Sequence, residues 1–92
     1  LSEQTQEMII RTHRNFDKKY IRLPEKIQEQ FKKRRDLFTT QPFHPILNNH
    51  SVGNVFPDCR SINVTGDYRA IFKQKGDVVL FVNIGTHSEL YS

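Results

Sequence analysis

The chain has 92 residues, one cysteine and a formal net charge of +4. That length makes a single domain whose core is just large enough to fold alone. The lone Cys59 excludes an intramolecular disulfide and is consistent with a reducing compartment, and no apolar run approaches the length of a membrane span. We therefore expect a cytoplasmic protein. Because Met8 is a more natural start than Leu1, we interpret residues 1–7 as an N-terminal extension or cloning remnant and residues 8–92 as the domain.

The positive charge is concentrated in one region of the chain. Residues 11–35 hold ten Lys or Arg against three acidic residues, a net of +7, whereas residues 1–10 carry −2 and residues 36–92 carry −1. This asymmetry indicates a polyanion or an acidic protein as partner. The alternative is a solvated helix face, which is common for Lys-rich helices. The basic run at residues 32–35, which circles a helix, favours the polyanion.

A short opening strand and two helices are predicted in the first 40 residues. Residues 8–13 alternate weakly, as a strand does, and Asn15 is positioned to cap the helix that follows. Pro24 fits the first turn of a second helix. The periodicity predicts an α-hairpin from about residue 15 to residue 39, with Arg34 as the polar exception in its apolar stripe. The stripe contains Phe16, Tyr20, Leu23, Ile27, Phe31, Leu37 and Phe38.

The rest of the chain predicts an irregular crossing followed by strands. Residues 40–57 are rich in Pro, Gly and Asn and predict a crossing with one short strand near residues 46–47 or 54–56. Apolar and polar residues then alternate over residues 61–65, which predicts one apolar and one polar sheet face. Tight turns follow at residues 66–67 and 75–77, and the apolar run from residue 78 to 84 predicts a central strand. The fold class is therefore α+β, with an antiparallel meander packed against helices on one face.

The chain ends in a polar segment after this last strand. Thr86 and Glu89 have the spacing of a capping box, which predicts a short helical turn with His87 in its first turn. The segment places one His near a hydroxyl, a carboxylate and the ring of Tyr91. A purely structural alternative is that it caps the last strand and packs Leu90 on the core.

Seven side chains are candidates for chemistry. Arg60 and Arg69 are suited to bidentate phosphate contacts, although cross-strand pairing with Asp58 or Asp67 is the structural alternative. Asp67 is predicted at a hairpin tip, where Asp is often chosen for turn geometry alone. The candidates are His50, Arg60, Asn63, Asp67, Arg69, His87 and Tyr91.

These residue types point to RNA chemistry rather than to most other enzyme classes. The chain has no Gly-rich phosphate loop and no nucleophile-elbow Ser, and its four His and one Cys match no zinc spacing, so we expect neither metal nor cofactor. Metal-free RNA cleavage is within reach of His, Asp, Arg and Tyr on a basic scaffold. The ribose 2′-OH is an internal nucleophile, so the protein need only move protons and stabilise a phosphorane. DNA lacks that hydroxyl.

Several stretches, in the same order along the chain, resemble the RelE/YafQ branch of bacterial type II toxins. They are FDKKY (16–20), LP (23–24), PFHP (42–45), LNNH (47–50), RSINV (60–64), GDYRAIF (66–72) and GTHSELY (85–91). The resemblance is closer to YafQ than to RelE. It implies a RelE/ParE-like microbial RNase fold and mRNA cleavage in the A site of the 70S ribosome. It also implies a cognate antitoxin, through which the toxin contacts operator DNA.

The resemblance also implies roles for individual residues. His87 is similar to the C-terminal His of YafQ-like toxins, where it serves as general acid or base, and Tyr91 matches the aromatic four residues later. His50 matches the loop His, and Asp67 matches the hairpin acid, which shares the proton work or orients His87. His50 and Tyr91 are expected to assist in proton transfer or base stacking. Arg60, together with Arg69, is expected to hold the phosphate.

One position departs from the pattern of the family. Asn63 stands where well-known YafQ-like members have His, which removes one titratable group and leaves Asn63 as a polar RNA contact.

The basic helical hairpin is expected to contact ribosomal RNA. Its residues are Lys18, Lys19, Lys32, Lys33, Arg34 and Arg35.

Two other functions remain open at the level of sequence. A ParE-like gyrase poison would share the fold and lack the catalytic His set. A non-catalytic module would act only through the antitoxin and as corepressor, and Asn63 leaves that alternative open.

Overall fold

The computed structural model describes residues 7–91, so the expected extension at residues 1–7 lies, except for Glu7, outside the described part. Five strands, three helices and one 3-10 turn follow in the described chain. They are β1 (Ile9–Thr12), α1 (Arg14–Tyr20), α2 (Glu25–Thr40), the 3-10 turn (Pro45–Leu47), β2 (His50–Ser51), β3 (Arg60–Asn63), β4 (Tyr68–Lys75), β5 (Val78–Thr86) and α3 (His87–Tyr91). The predicted opening strand, α-hairpin and late strands are confirmed.

The strands form one sheet with the order β1-β5-β4-β3-β2. Strands β2, β3, β4 and β5 pair with one another in antiparallel fashion, as the meander predicts, and β5 is flanked on both sides. β1 instead runs parallel to β5, with Ile9 opposite Val78 and Thr12 opposite Phe81. The predicted antiparallel meander is therefore confirmed, and the parallel pairing of the opening strand makes the sheet as a whole mixed. A parallel pair needs a long crossover, and everything between β1 and β5 provides it.

Both helices of the hairpin pack on one face of the sheet through aromatic rings. Phe31 meets Phe81 edge-on at a centroid distance of 5.2 Å, and Phe38 meets Phe72 at 4.9 Å. Phe16 lies against Phe31 and Phe81 at 5.2 and 5.8 Å. All five rings are buried. Burying each contributes about 1.5–3 kcal/mol, so this aromatic layer fixes the hairpin on the sheet.

The ends of the hairpin helices differ from the prediction. His13, not Asn15, caps α1, because the backbone N–H of Asn15 itself donates to Nδ1 of His13 at 3.0 Å. Pro24 lies one residue before α2 rather than in its first turn, with an extended ψ of 144°. Arg34 is the exception in the apolar stripe because its Nη1 donates to the carbonyl of Ile46 at 3.1 Å, which ties the crossing to α2.

The crossing contains its short strand at a different place from the two predicted. Residues 46–47 belong to the 3-10 turn and residues 54–56 to turns, whereas β2 pairs His50 with Ser61 and Ser51 with Arg60. Leu47 is fully buried in the helix-side core. Asn48 then adopts the left-handed conformation with φ 46° and reverses the chain into the edge strand, a conformation that Asn tolerates better than most residues.

The second sheet face is not the open polar surface that alternation predicts. Val52, Cys59, Ile71 and Leu90 form a small buried cluster there. Ile62 and Val64 do face the helices as predicted, but Ser61 on the opposite face is fully buried. The loop after β2 and helix α3 cover this face, and neither covering could be read from the strand pattern. Among residues 7–91, no helix is long and apolar enough to cross a membrane.

Candidate active site

The C-terminal helix α3 is held by the predicted capping box. The backbone N–H of Thr86 donates to Oε1 of Glu89 at 2.8 Å, and the N–H of Glu89 donates to Oγ1 of Thr86 at 3.2 Å. Gly85 permits this arrangement, because a Cβ at that position would lie 2.8 Å from Oε1 of Glu89. Leu90 packs into the small buried cluster with Val52, Cys59 and Ile71, so this segment also has a structural role. The box fixes the start of α3 at His87.

His87 is positioned by its backbone and by one aromatic neighbour. Its N–H donates to the carbonyl of Asp67 at 2.9 Å, which joins α3 to the β3–β4 hairpin. Its imidazole lies against the ring of Tyr91, one helical turn later, at a centroid distance of 4.7 Å. Tyr91 in turn meets Phe56 edge-on at 6.1 Å. The imidazole itself is exposed and faces solvent from a fixed support.

A cavity of about 350 Å³ brings four of the seven candidates together. His50, Arg69, His87 and Tyr91 line it, although they come from β2, β4 and α3. The volume is at the lower end of the range for ligand pockets. Among residues 7–91, the cavity wall contains two imidazoles and one guanidinium but no carboxylate. This set of side chains favours an anionic ligand. The remaining lining residues are Asn48, Ser51, Val52, Asn54 and Val55.

The geometry of His50 determines which ring nitrogen is available. Its Nδ1 lies 2.7 Å from the carbonyl oxygen of Asn48, and only a protonated Nδ1 can donate there. In the neutral ring the proton therefore resides on Nδ1, and Nε2 carries the free lone pair. The left-handed backbone of Asn48 places that carbonyl. His50 is thus an imidazole prepared to accept a proton through Nε2.

Arg69 is held in the cavity wall by the adjoining turn. Its Nη1 donates to the carbonyls of Gly66 at 2.9 Å and of Thr65 and Tyr68 at 3.3 Å. No carboxylate lies within ion-pair distance of it among residues 7–91. A guanidinium fixed at one nitrogen retains donors on Nε and Nη2 for an oxyanion.

Three candidates do not reach the cavity. Arg60 points to the helix side of the sheet, where Nε donates to Oδ1 of Asn49 at 2.7 Å. Alternation explains this, because Arg60 shares a face with the core residue Ile62. The side chain of Asp67 is exposed on the hairpin, and its contact with the site is the backbone carbonyl. Asn63 lies across from Arg69, but its Oδ1 is buried without a partner in the described chain.

The basic hairpin lies on the sheet face opposite the cavity. Lys19 donates to Oδ1 of Asn83 at 2.8 Å, and Lys32 and Arg35 pair with Glu29 and Asp36 at 3.3 and 3.2 Å. These are exposed contacts of small energetic weight. Lys18 and Lys33 are exposed and make no ion pair within residues 7–91. The hairpin and the cavity therefore present two separate charged surfaces.

Sequence reasoning missed the part of the cavity wall that follows β2. Val52, Asn54 and Val55 belong to a loop that the composition marks only as irregular. Asn48 carries a usable signal, because Asn adopts the left-handed conformation more readily than most residues. The aromatic support from Phe56 to Tyr91 has no local signal, since the two residues are far apart in sequence.

Solved structures with the same architecture identify the fold. YafQ from E. coli strain BL21(DE3) is similar with a TM-score of 0.76 at 20% identity, covering 94% of this chain and 100% of that one. YafQ in the E. coli DinJ–YafQ toxin–antitoxin complex gives 0.76 at 21% identity, covering 94% and 99%. A mutant of the E. coli toxin RelE in the free state gives 0.70 at 23%, covering 92% and 90%.

The chain has the RelE/YafQ toxin fold. The fold expected from the sequence resemblance is thereby confirmed over nearly the whole chain. No protein-family model and no curated protein sequence matches the chain.

Proposed function

We propose that this protein is the toxin of a bacterial type II toxin–antitoxin system and that it cleaves mRNA in the ribosomal A site. The observation that carries the proposal is the cavity in which His50, His87 and Arg69 meet with no carboxylate in the described wall. Two imidazoles and a guanidinium can supply the base, the acid and the charge stabilisation that 2′-OH attack on a phosphodiester requires. The RelE/YafQ fold supports the same conclusion.

The proposed chemistry follows from the fixed tautomer of His50. Nε2 of His50 removes the proton from the ribose 2′-OH, whose oxygen attacks the adjacent phosphorus. Arg69 stabilises the charge of the phosphorane, and His87, supported by Tyr91, protonates the departing 5′-oxygen. The P–O5′ bond breaks, leaving a 2′,3′-cyclic phosphate and a 5′-OH. These side chains supply the base, the acid and the electrostatic stabilisation without a metal or cofactor.

Two expected roles, those of Arg60 and Asn63, change in this proposal, and one of the two roles expected for Asp67 is selected. Arg69, rather than Arg60, contacts the scissile phosphate, because Arg60 lies on the other side of the sheet. Asp67 positions His87 through its backbone carbonyl and takes no part in proton transfer. Tyr91 packs on the acid. Asn63, whose Oδ1 is buried opposite Arg69 in the sheet, is not an RNA contact.

The partners follow from the two charged surfaces. The basic hairpin binds ribosomal RNA, so the cavity on the opposite face is directed at the mRNA. That contact should weaken steeply with salt. A cognate antitoxin inhibits the protein, as the DinJ–YafQ complex of the same fold suggests, and operator DNA is bound only through the antitoxin complex. The site of action is the bacterial cytoplasm.

The test is 5′-end mapping of an mRNA in a bacterial cell-free translation reaction. Wild-type protein should produce cuts only while ribosomes occupy the message, and the cuts should report the codon preference. His87→Ala and His50→Gln should each lower the cutting rate by about 10²- to 10⁴-fold.

Asp67→Asn is the matched control, because it removes the carboxylate and keeps the backbone contact to His87. It should cut within a few fold of wild type. Loss of cutting in this variant would show that the Asp67 carboxylate takes part in proton transfer. No cutting by the wild-type protein refutes the nuclease, and a DNA-supercoiling assay then tests the gyrase poison.

A further inference from the structure

An exposed aromatic ring with a guanidinium on its face lies outside the cavity. Phe43, in the crossing after α2, is 70% exposed, an unusual position for so large an apolar side chain. Cζ of Arg60 lies 5.6 Å from the centroid of its ring, within the range of a cation–π contact. We call this pair, Phe43 and Arg60, the aromatic platform.

Hydrogen bonds hold the platform rigid. Nε of Arg60 donates to Oδ1 of Asn49 at 2.7 Å, and its Nη2 donates to the carbonyl of the same residue at 3.3 Å. The side-chain amide of Asn49 donates to the carbonyl of Pro42 at 2.9 Å, which ties the segment before Phe43 to the same anchor. The ring and the guanidinium are therefore presented in one fixed arrangement, although the ring is exposed.

The charge around the platform is suited to a polyanion. Arg60 makes no ion pair in the part of the chain that the structure describes. Arg34, on α2, donates to the carbonyl of Ile46 in the same crossing that carries Phe43. His44 accepts the N–H of Ile46 at Nδ1, so in this contact its Nε2 is a free donor. An aromatic face beside a guanidinium whose charge no carboxylate neutralises is an arrangement that can stack a nucleobase and attract its phosphate.

The platform and the cavity lie on the two sides of one edge strand. Asn49, the residue before β2, and His50, the first residue of β2, point to opposite sides of the sheet. The side chain of Asn49 contacts Arg60 on the helix side, and His50 lines the cavity on the other side. The strand is only two residues long and forms the edge of the sheet. A single-stranded nucleic acid that leaves the cavity over this edge meets the platform next.

We propose that Phe43 and Arg60 stack a base of single-stranded RNA that flanks the step held in the cavity. The proposal rests on the proposed function for the identity of the ligand. It gives Arg60 a binding role outside the site of bond cleavage and explains why a large ring remains exposed.

The test measures binding of a fluorescein-labelled, 2′-O-methyl single-stranded RNA of about 12 nucleotides by anisotropy. The 2′-O-methyl groups prevent cleavage, so the protein keeps its intact cavity. Phe43→Leu, which keeps an apolar residue and removes the ring, should bind at least about 5-fold more weakly. Phe43→Tyr, which retains the ring, should bind as wild type does. Ile21→Ala is the control, because Ile21 is a 74% exposed apolar residue elsewhere.

The salt dependence separates stacking from charge. Phe43→Leu should lower the affinity equally at low and high salt, because stacking releases no counterions. Arg60→Gln should make the slope of log K against log salt shallower by about 0.7. Equal affinities of Phe43→Leu and wild type overturn the proposal, and so does an absence of measurable binding by wild type.

Cleavage is measured separately, by end mapping. Binding that depends on Phe43, in a protein that cuts no mRNA, supports the platform and refutes only the nuclease. Cutting of mRNA by wild type, together with unchanged RNA binding by Phe43→Leu, supports the nuclease and refutes the platform.

Discussion

Replacing Ser61 with alanine should stabilise the protein. The Ser61 hydroxyl is fully buried in β3 and has no hydrogen-bond partner within residues 7–91. A buried hydroxyl without a partner costs about 1–3 kcal/mol relative to one exposed to water. Alanine removes that cost and leaves the backbone pairing with Ile71 intact, at the loss of a few dispersion contacts.

The net gain expected for Ser61→Ala is about 1 kcal/mol in the free energy of unfolding. For a domain of this size, that corresponds to a rise in Tm of about 4–8 °C and in the urea midpoint of roughly 0.5–1 M. Thermal unfolding followed by circular dichroism, with urea titration as an independent measure, would quantify both.

The control is the same chemical change on the neighbouring strand. Ser51 is exposed, and its hydroxyl accepts the N–H of Gly53 at 3.3 Å, so Ser51→Ala should be neutral or slightly destabilising. An unchanged or lowered Tm for Ser61→Ala would refute the reasoning, because it would mean that the hydroxyl has a partner such as an ordered water.

The remaining predictions concern the cap of α3 and the buried thiol. Glu89→Ala removes the acceptor for the Thr86 N–H and should destabilise the protein by about 0.5–1 kcal/mol, measured as a lower Tm. Gly85→Ala should have a similar effect, because its Cβ would displace the Glu89 side chain. A Tm equal to that of wild type in both variants would show that the capping box contributes nothing to stability. Burial raises the pKa of Cys59 above its ordinary 9.0, with Asp58 adding to the shift and Lys73 opposing it. The folded state therefore retains the proton where the unfolded state loses it, so this contribution to stability is complete below pH 9 and is lost as the pH rises through the higher folded pKa. Iodoacetamide should alkylate Cys59 much more slowly in the native protein than in urea, and Cys59→Ser should flatten the alkaline loss of stability; equal alkylation rates would contradict the burial.

The helical hairpin shows how far local sequence patterns reach. Phe16, Phe31 and Phe38 follow helical spacing, and their burial is the reason the hairpin packs on the sheet. The capping box of Thr86 and Glu89 was equally readable, because both of its hydrogen bonds join residues three apart. Local periodicity and short-range bonds are encoded within a single turn or strand.

Helix ends and the crossing were less readable because several residues compete for the same role. His13 and Asn15 can both cap α1, and only the backbone direction arriving from β1 decides in favour of His13. The position of β2 depends on Leu47 being drawn into the core and on the left-handed turn at Asn48.

The site depended most on tertiary structure. His50 and His87 were candidates from their chemistry, but the sequence did not show that they line one cavity. It also paired Arg60 with Arg69 as equivalent phosphate ligands. The structure separates them, because the two strands pair in a register that turns Arg60 toward the helices and Arg69 toward the cavity.

The sequence by itself determined the helices, the late strands, the terminal cap and the regional positive charge, because each depends on residues close together in the chain. Tertiary structure decided the parallel pairing of β1 with β5, the covering of the second sheet face, and the division of two arginines between two surfaces. Those features depend on which strands become neighbours and in what register. A shift of one residue along a strand exchanges its two faces, and no local pattern fixes that shift.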